Sequence, residues 1–195
     1  MDLVLASSNS HKIRELSKLL ENLPVRIHSL NEYKNLPEII EDGSSFEENA
    51  AKKACIIYNH LKLPVLADDS GLEVPALNNE PGVYSARYAG KNSSDKHNNE
   101  LLLQKMKNLK GEQRKARFVC ALCFIHNGKD YYFNGCAEGL ILEESRGDNG
   151  FGYDPLFYVP SLDRTYAELR DDEKSAISHR GKAMTEFKNH LVKLI

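Results

Sequence analysis

The chain has 195 residues and a formal net charge of −2, which suits one domain with a sizeable core and room for two lobes. The near-neutral balance argues against a dedicated nucleic-acid binder, and no basic stripe with interleaved aromatics is present. No stretch approaches the roughly 18 consecutive apolar residues of a membrane span.

The opening MDLVLASSNSHK has no basic region ahead of its short apolar run, so no signal peptide is expected and the protein is read as cytoplasmic. Residues 2–6 read as a strand. After a polar turn, Ile13, Leu16, Leu19, Leu20 and Leu23 recur at helical spacing, stopped before Pro24. Residues 25–30 suit a second strand, and an acidic stretch ends in Glu41-Asp42-Gly43. Ser44 or Ser45 can cap a helix reaching Tyr58, with Phe46, Ala50 and Ala54 on one side. The apolar run 63–67 then predicts a strand that delivers the chain into an acidic turn, Asp68-Asp69-Ser70-Gly71.

Residues 78–93 read as loop, and Ser94 can cap a helix carrying Leu101, Leu102, Met106 and Leu109. Residues 117–125 and 131–136 predict a hairpin around Asn127-Gly128, followed by a short strand at 140–142. Glycines make 147–155 a loop before a short strand at 156–159. A last helix starts at Ser178, with Ala183, Phe187, Leu191 and Leu194 inward. Helices and strands alternate early and a hairpin follows, which indicates an α/β fold with a mixed sheet flanked by helices. Of the four cysteines, Cys55, Cys120, Cys123 and Cys136, the middle two form a CxxC in a strand. That spacing sends the thiols to opposite faces, so they are expected in the core and not on a metal.

Four stretches could carry chemistry. Ser7, Ser8, Asn9 and Ser10 lead into a helix start followed by Lys12, a donor-rich arrangement suited to phosphate. Asp68, Asp69, Glu41, Asp42, Glu47 and Glu48 supply the oxygen ligands a hard cation prefers, and a carboxylate beside such an ion can deprotonate water. In GFGYDP, residues 150–155, Phe151 and Tyr153 could stack on a planar base and Asp154 could accept from ring or sugar donors. Lys174, His179 and Arg180 gather donors near the last helix; adjacent His179 and Arg180 must project differently.

Together LASSNSHKIREL, FEENAAKKA, LADDSGLEV, PGVYSARYAG, GFGYDP and EKSAISHRGKA resemble the inosine/xanthosine triphosphate pyrophosphatases, in order and over nearly the whole chain. The resemblance implies an elongated α/β fold with a long mixed sheet, two lobes and a central substrate cleft, usually as a homodimer. It implies Mg²⁺-dependent hydrolysis of ITP, dITP or XTP to the monophosphate and pyrophosphate, clearing such nucleotides before their incorporation into DNA or RNA. Carried onto this chain, Asp69 is the general base and a metal ligand, with Glu41 as second metal ligand. Ser7, Ser8, Asn9, Ser10, His11 and Lys12 cradle the triphosphate, Ser70 touches substrate, and Lys53 and Arg87 reach phosphates. Phe151, Gly152, Tyr153 and Asp154, with Lys174, His179 and Arg180, hold base and sugar. Two positions depart from the family pattern: Ser7-Ser8-Asn9 stands where Thr-Gly-Asn is usual, and Asn149 where a glycine is frequent. The competing readings are a Maf-like nucleotide pyrophosphatase, whose Ser-Pro-Arg-Arg signature is missing, and a nucleotide sensor without turnover.

Overall fold

The computed structural model describes all 195 residues. Eight strands, β1 (Asp2–Leu5), β2 (Arg26–Ser29), β3 (Val65–Val74), β4 (Glu80–Pro81), β5 (Lys115–His126), β6 (Lys129–Ile141), β7 (Phe157–Val159) and β8 (Arg164–Thr165), form one hydrogen-bonded sheet. Their order is β2-β1-β3-β5-β6-β7-β8, with β4 paired to β3. β1 runs parallel to β2 and β3, whereas β3/β4, β6/β7 and β7/β8 are antiparallel. The α/β fold with a mixed sheet expected from the sequence is therefore present. Its helices are α1 (Ser10–Leu20), α2 (Phe46–Leu61), α3 (Asp95–Lys105), α4 (Asp171–Ile177) and α5 (His179–Leu191). None is long and apolar enough to cross a membrane.

Two strand boundaries are corrected. β3 does not stop at the acidic pair but runs through it to Val74, and residues 140–142 are no separate strand, since β6 extends to Ile141. The hairpin turn is as expected: Asn127 and Gly128 take φ of 51° and 72°, the left-handed pair that a two-residue hairpin loop requires.

The chain divides into two compact units. The first holds residues 1–69, 120–135 and 182–195. Its sheet is covered on both faces, and side-chain alternation decides which residue faces which helix. Leu3, Leu5, Leu66, Cys120, Leu122 and Phe124 pack with Leu16 and Leu20 of α1 and Phe187 and Leu191 of α5. Their neighbours Val4, Ala6, Val65, Ala67, Cys123 and Ile125 point the other way, onto Ala50, Ala54 and Ile57 of α2. The two cysteines of CxxC thus lie in opposite cores, as expected. Leu194, expected inward, is instead partly exposed beyond the end of α5.

The second unit holds residues 70–119 and 136–181. Its core joins Leu72, Val74, Leu102, Met106, Phe118, Ile141, Tyr153, Phe157 and Tyr166. Arg114 is buried beneath it and donates to the carbonyls of Ile141, Leu142, Met106 and Leu109 at 2.6, 2.6, 3.0 and 3.2 Å. One guanidinium thereby satisfies carbonyls left over where α3 ends and β6 ends.

Candidate active site

The acidic pair is explained by parity. On a strand, Asp68 shares the face of Leu66 and so points toward α1, whereas Asp69 shares the face of Ala67 and points toward α2. Each meets a cation from the helix on its side. Asp68, 1% exposed, pairs with the Lys12 ammonium, which also reaches the Asp68 carbonyl, and it accepts a weak bond from the Cys120 thiol at 3.5 Å. Asp69 pairs through Oδ1 with Lys53 Nζ at 3.0 Å, and its Oδ2 accepts from Asn49 Nδ2 at 3.1 Å. Two adjacent carboxylates thus avoid one another across the sheet.

Asp69 and Lys53 are both buried, and burial acts on them in opposite ways. It pushes the Asp69 carboxyl above its ordinary range, further than Lys53 and Asn49 pull it back. Burial works against the Lys53 ammonium too, but Asp69, Glu41 and Asp68 outweigh it and hold that group above its usual value. The cation is secure, and the carboxylate is a stronger base than a solvated aspartate.

Four acidic residues compete in the sequence for the place beside Asp69, and the geometry separates them. Glu41 shares the Lys53 ammonium with Asp69, at 3.3 Å. Asp42 is drawn to Lys52 at 2.6 Å. Glu48 accepts from the Ser44 backbone and hydroxyl at 2.7 and 2.9 Å, and Glu47 accepts from Asn134 at 3.3 Å. Two carboxylates converging on one ammonium give an all-oxygen donor pair of the kind Mg²⁺ uses, since that ion takes one or two carboxylates and keeps water and phosphate for the rest. No three His, Cys, Asp or Glu side chains gather as a complete protein cage.

At the start of α1, Asn9 is the N-cap, and its Oδ1 accepts from the His11 and Lys12 backbone at 2.9 and 3.3 Å. Two of the N–H groups expected to face phosphate are therefore bonded within the turn. Ser7 Oγ accepts from the Asn9 N–H at 3.1 Å, Ser8 and Ser10 are exposed, and the His11 ring lies 3.1 Å from Arg14.

In the second unit Phe151 lies under two cations, Lys174 Nζ at 4.8 Å and the Arg180 guanidinium at 5.6 Å from its ring centre. Lys174 bonds the buried Asp154 at 2.5 Å, and the same Asp154 oxygen accepts the Phe151 N–H at 2.8 Å. Burial pushes the Asp154 carboxyl upward despite Lys174 beside it. Arg180 donates to Ser70 Oγ at 2.7 Å. The neighbouring His179 ring stacks on Phe118, with ring centres 4.6 Å apart and planes 9° off parallel. Lys174 belongs to the short helix α4, which the sequence reading missed. Arg87 lies over the Tyr84 ring at 5.2 Å.

Tyr153 does not join this group. It is buried in the core with its hydroxyl donating to the Ser85 carbonyl at 2.8 Å, so its ring is not available to stack on a base. Sequence reasoning also passed over Asn49, Asp95 and Asn99. Asp95 Oδ2 accepts the Gly152 N–H at 2.7 Å and Asn99 Nδ2 donates to the Gly152 carbonyl at 3.0 Å, so one turn of α3 grips the tip of the glycine loop. The signal was present as polar pairs at i, i+4: Asn49 with Lys53, and Asp95 with Asn99.

The loop fits closely enough to yield a prediction. Gly150 takes φ +77°, and a Cβ there would sit 2.1 Å from Asp154 Oδ2. Gly150→Ala is expected to lower stability by about 1–3 kcal/mol, from left-handed strain plus displacement of Asp154. Thermal melting checks it, and an unchanged Tm would show that the loop adapts freely.

A buried carboxylate paired with an ammonium, as Asp69 is with Lys53, is a set of the kind enzymes use on small anionic ligands. Comparison with known proteins makes this specific: residues 3–190 match the Ham1 family, and the chain belongs to that family. It is 48% identical over 190 residues to a dITP/XTP pyrophosphatase of Geobacter sulfurreducens, covering 97% of this chain and 96% of that protein. It is 50% identical over 194 residues to a dITP/XTP pyrophosphatase of an Exiguobacterium strain, covering 98% and 97%. Among solved structures, a HAM1 protein from Coxiella burnetii superposes with a TM-score of 0.92 at 44% identity, covering 99% of both chains.

Proposed function

We propose that this protein hydrolyses the non-standard purine nucleoside triphosphates ITP, dITP and XTP to the monophosphate and pyrophosphate, removing them from the nucleotide pool. The observation that carries the reading is the buried Asp69 carboxylate, held on separate oxygens by Lys53 and Asn49 with Glu41 on the same ammonium. Asp69 takes a proton from the attacking water while the anhydride between the α- and β-phosphates opens, and pyrophosphate leaves. Glu41 and Asp69 would hold Mg²⁺, which neutralises charge on the triphosphate. Lys53, Lys12 and the Ser7–Ser10 turn act on the phosphates, Lys12 exchanging Asp68 for phosphate oxygen, and Arg87 also reaches phosphate. Phe151 stacks on the base, Gly152 and Asp154 shape its loop, and Lys174, His179, Arg180 and Ser70 act on base and sugar. The active form is a homodimer.

Selectivity follows from donors. Hypoxanthine and xanthine offer a carbonyl at C6, whereas adenine puts an amino donor there, which Arg and Lys donors cannot satisfy. Arg180→Ala is accordingly expected to narrow the ITP/ATP ratio of kcat/KM by about tenfold. An unchanged ratio would remove Arg180 from base recognition.

The test is pyrophosphate release from ITP, XTP, GTP, ATP and dTTP, each with Mg²⁺ and with EDTA. Rapid release from ITP and XTP, abolished by EDTA, is expected. Turnover of dTTP would favour the Maf-like reading, and nucleotide binding without turnover would favour a sensor.

A further inference from the structure

Asn49 is fully buried, and both ends of its amide are engaged. Nδ2 donates to Asp69 Oδ2 at 3.1 Å, and Oδ1 accepts the Gly43 backbone N–H at 2.8 Å. One turn further along α2, Lys53 repeats the pattern, touching Asp69 Oδ1 at 3.0 Å and Glu41 at 3.3 Å. Two side chains at i, i+4 therefore each bond one oxygen of Asp69 and one point of the 41–43 segment. Gly43 packs so closely that a Cβ on it would lie 2.6 Å from Asn49 Oδ1. A neutral amide is suited to this place. It donates at one end and accepts at the other, where a lysine could only donate and a carboxylate could only accept.

We propose that Asn49 is a positioning residue for the reaction: it fixes the rotation of the Asp69 carboxylate and ties the Glu41-bearing segment to it through Gly43. The inference rests on Asp69 being the base. Lys53 alone leaves the carboxylate free to turn about its Cβ–Cγ bond, because a single bonded oxygen defines a pivot. The Asn49 amide on the second oxygen removes that freedom, so the free oxygen lone pairs keep one direction. Misorientation of a reacting group by about 1 Å is enough to cost on the order of 10²-fold in rate.

The two bonds can be separated by substitution. Asn49→Asp keeps an acceptor for the Gly43 N–H but loses the donor to Asp69 and sets a second carboxylate against it. Asn49→Leu loses both bonds at similar volume. Asp69→Asn serves as the reference for loss of the base. With ITP and Mg²⁺, Asn49→Asp is expected to lower kcat by about 10²-fold with KM changed less than about threefold. Its melting temperature should fall, because a fully buried carboxylate now opposes Asp69, but the Gly43 amide should remain protected from hydrogen exchange in the folded protein. In Asn49→Leu the Gly43 amide is expected to exchange at least about tenfold faster, a readout independent of turnover. If Asp69→Asn is inactive while Asn49→Asp keeps wild-type kcat, the role of Asn49 is overturned and that of Asp69 stands. If Asp69→Asn retains activity, both fall. Unchanged Gly43 exchange in Asn49→Leu would overturn the tie between Asn49 and the 41–43 segment. Should Asn49→Leu fail to fold, Gly43→Ala replaces it: crowding Asn49 Oδ1 should lower kcat in the same direction, and an unaltered kcat would count against the proposal.

Discussion

Asp69→Asn is expected to lower kcat for ITP by at least about 10²-fold, the usual worth of a general base, while nucleotide binding survives. The substitution is nearly isosteric, and its single amide oxygen can keep the bond from Lys53 or the bond from Asn49, which reach different oxygens of the carboxylate, but not both. What disappears is the negative charge and with it the capacity to take a proton. The fold should tolerate the change. The buried carboxylate is disfavoured in its charged form, so neutralising it relieves that cost. Lys53 keeps Glu41 as a counter-charge, at 3.3 Å. The measurement is steady-state pyrophosphate release beside the affinity for a non-hydrolysable triphosphate analogue. A variant that keeps more than about a tenth of the wild-type kcat would contradict Asp69 as the essential base. Loss of binding together with rate would instead make it a residue of ground-state affinity.

Much of this site was legible because alternation and helical spacing are local. The strand at 65–67, the capped helix before it and the hairpin at Asn127-Gly128 follow from residues within a few positions of one another. What was not legible depended on partners far along the chain. Asp68 and Asp69 look like a turn, since aspartate is depleted in strands and two charges resist burial. Only Lys12 and Lys53, delivered by two different helices, make a strand through them affordable. Likewise nothing near Glu41 distinguishes it from Asp42, Glu47 or Glu48, because the distinction lies in which cation each one finds. Tyr153 failed for a related reason. An aromatic in a glycine-rich loop is equally suited to a ligand or to a core, and the Ser85 carbonyl that decides the matter is 68 residues away in sequence. The helix α4 has seven residues, too few to show a period.

Lys174→Met is expected to lower stability by about 3 kcal/mol, since it leaves the Asp154 carboxylate buried without its cation. Asp154 is 2% exposed and Lys174 8%, so water cannot replace the lost partner as it would at a surface. For a chain of this size the loss corresponds to a fall in Tm of about 6–12 °C. Methionine preserves most of the side-chain stem, but the ammonium also lies 4.8 Å from the Phe151 ring and 5.7 Å from that of Tyr166, so two cation–π contacts go with it. Pairing the change with Asp154→Asn separates charge from packing. The double variant should regain most of the stability, because the amide oxygen still accepts the Phe151 N–H and no charge is stranded. A double variant as unstable as Lys174→Met would assign the loss to packing. The effect also has a defined pH dependence. Burial already holds the Asp154 carboxyl above its ordinary value, and removing Lys174 takes away an opposing pull, so it rises further. Between the unfolded value of about 4 and that raised value the folded state binds the extra proton, so stability falls as pH rises through the window. The Tm deficit of Lys174→Met should therefore be smaller at pH 5 than at pH 8, where the carboxylate must be buried charged or expelled. A deficit independent of pH would mean that Asp154 leaves the core and finds water when its lysine is gone.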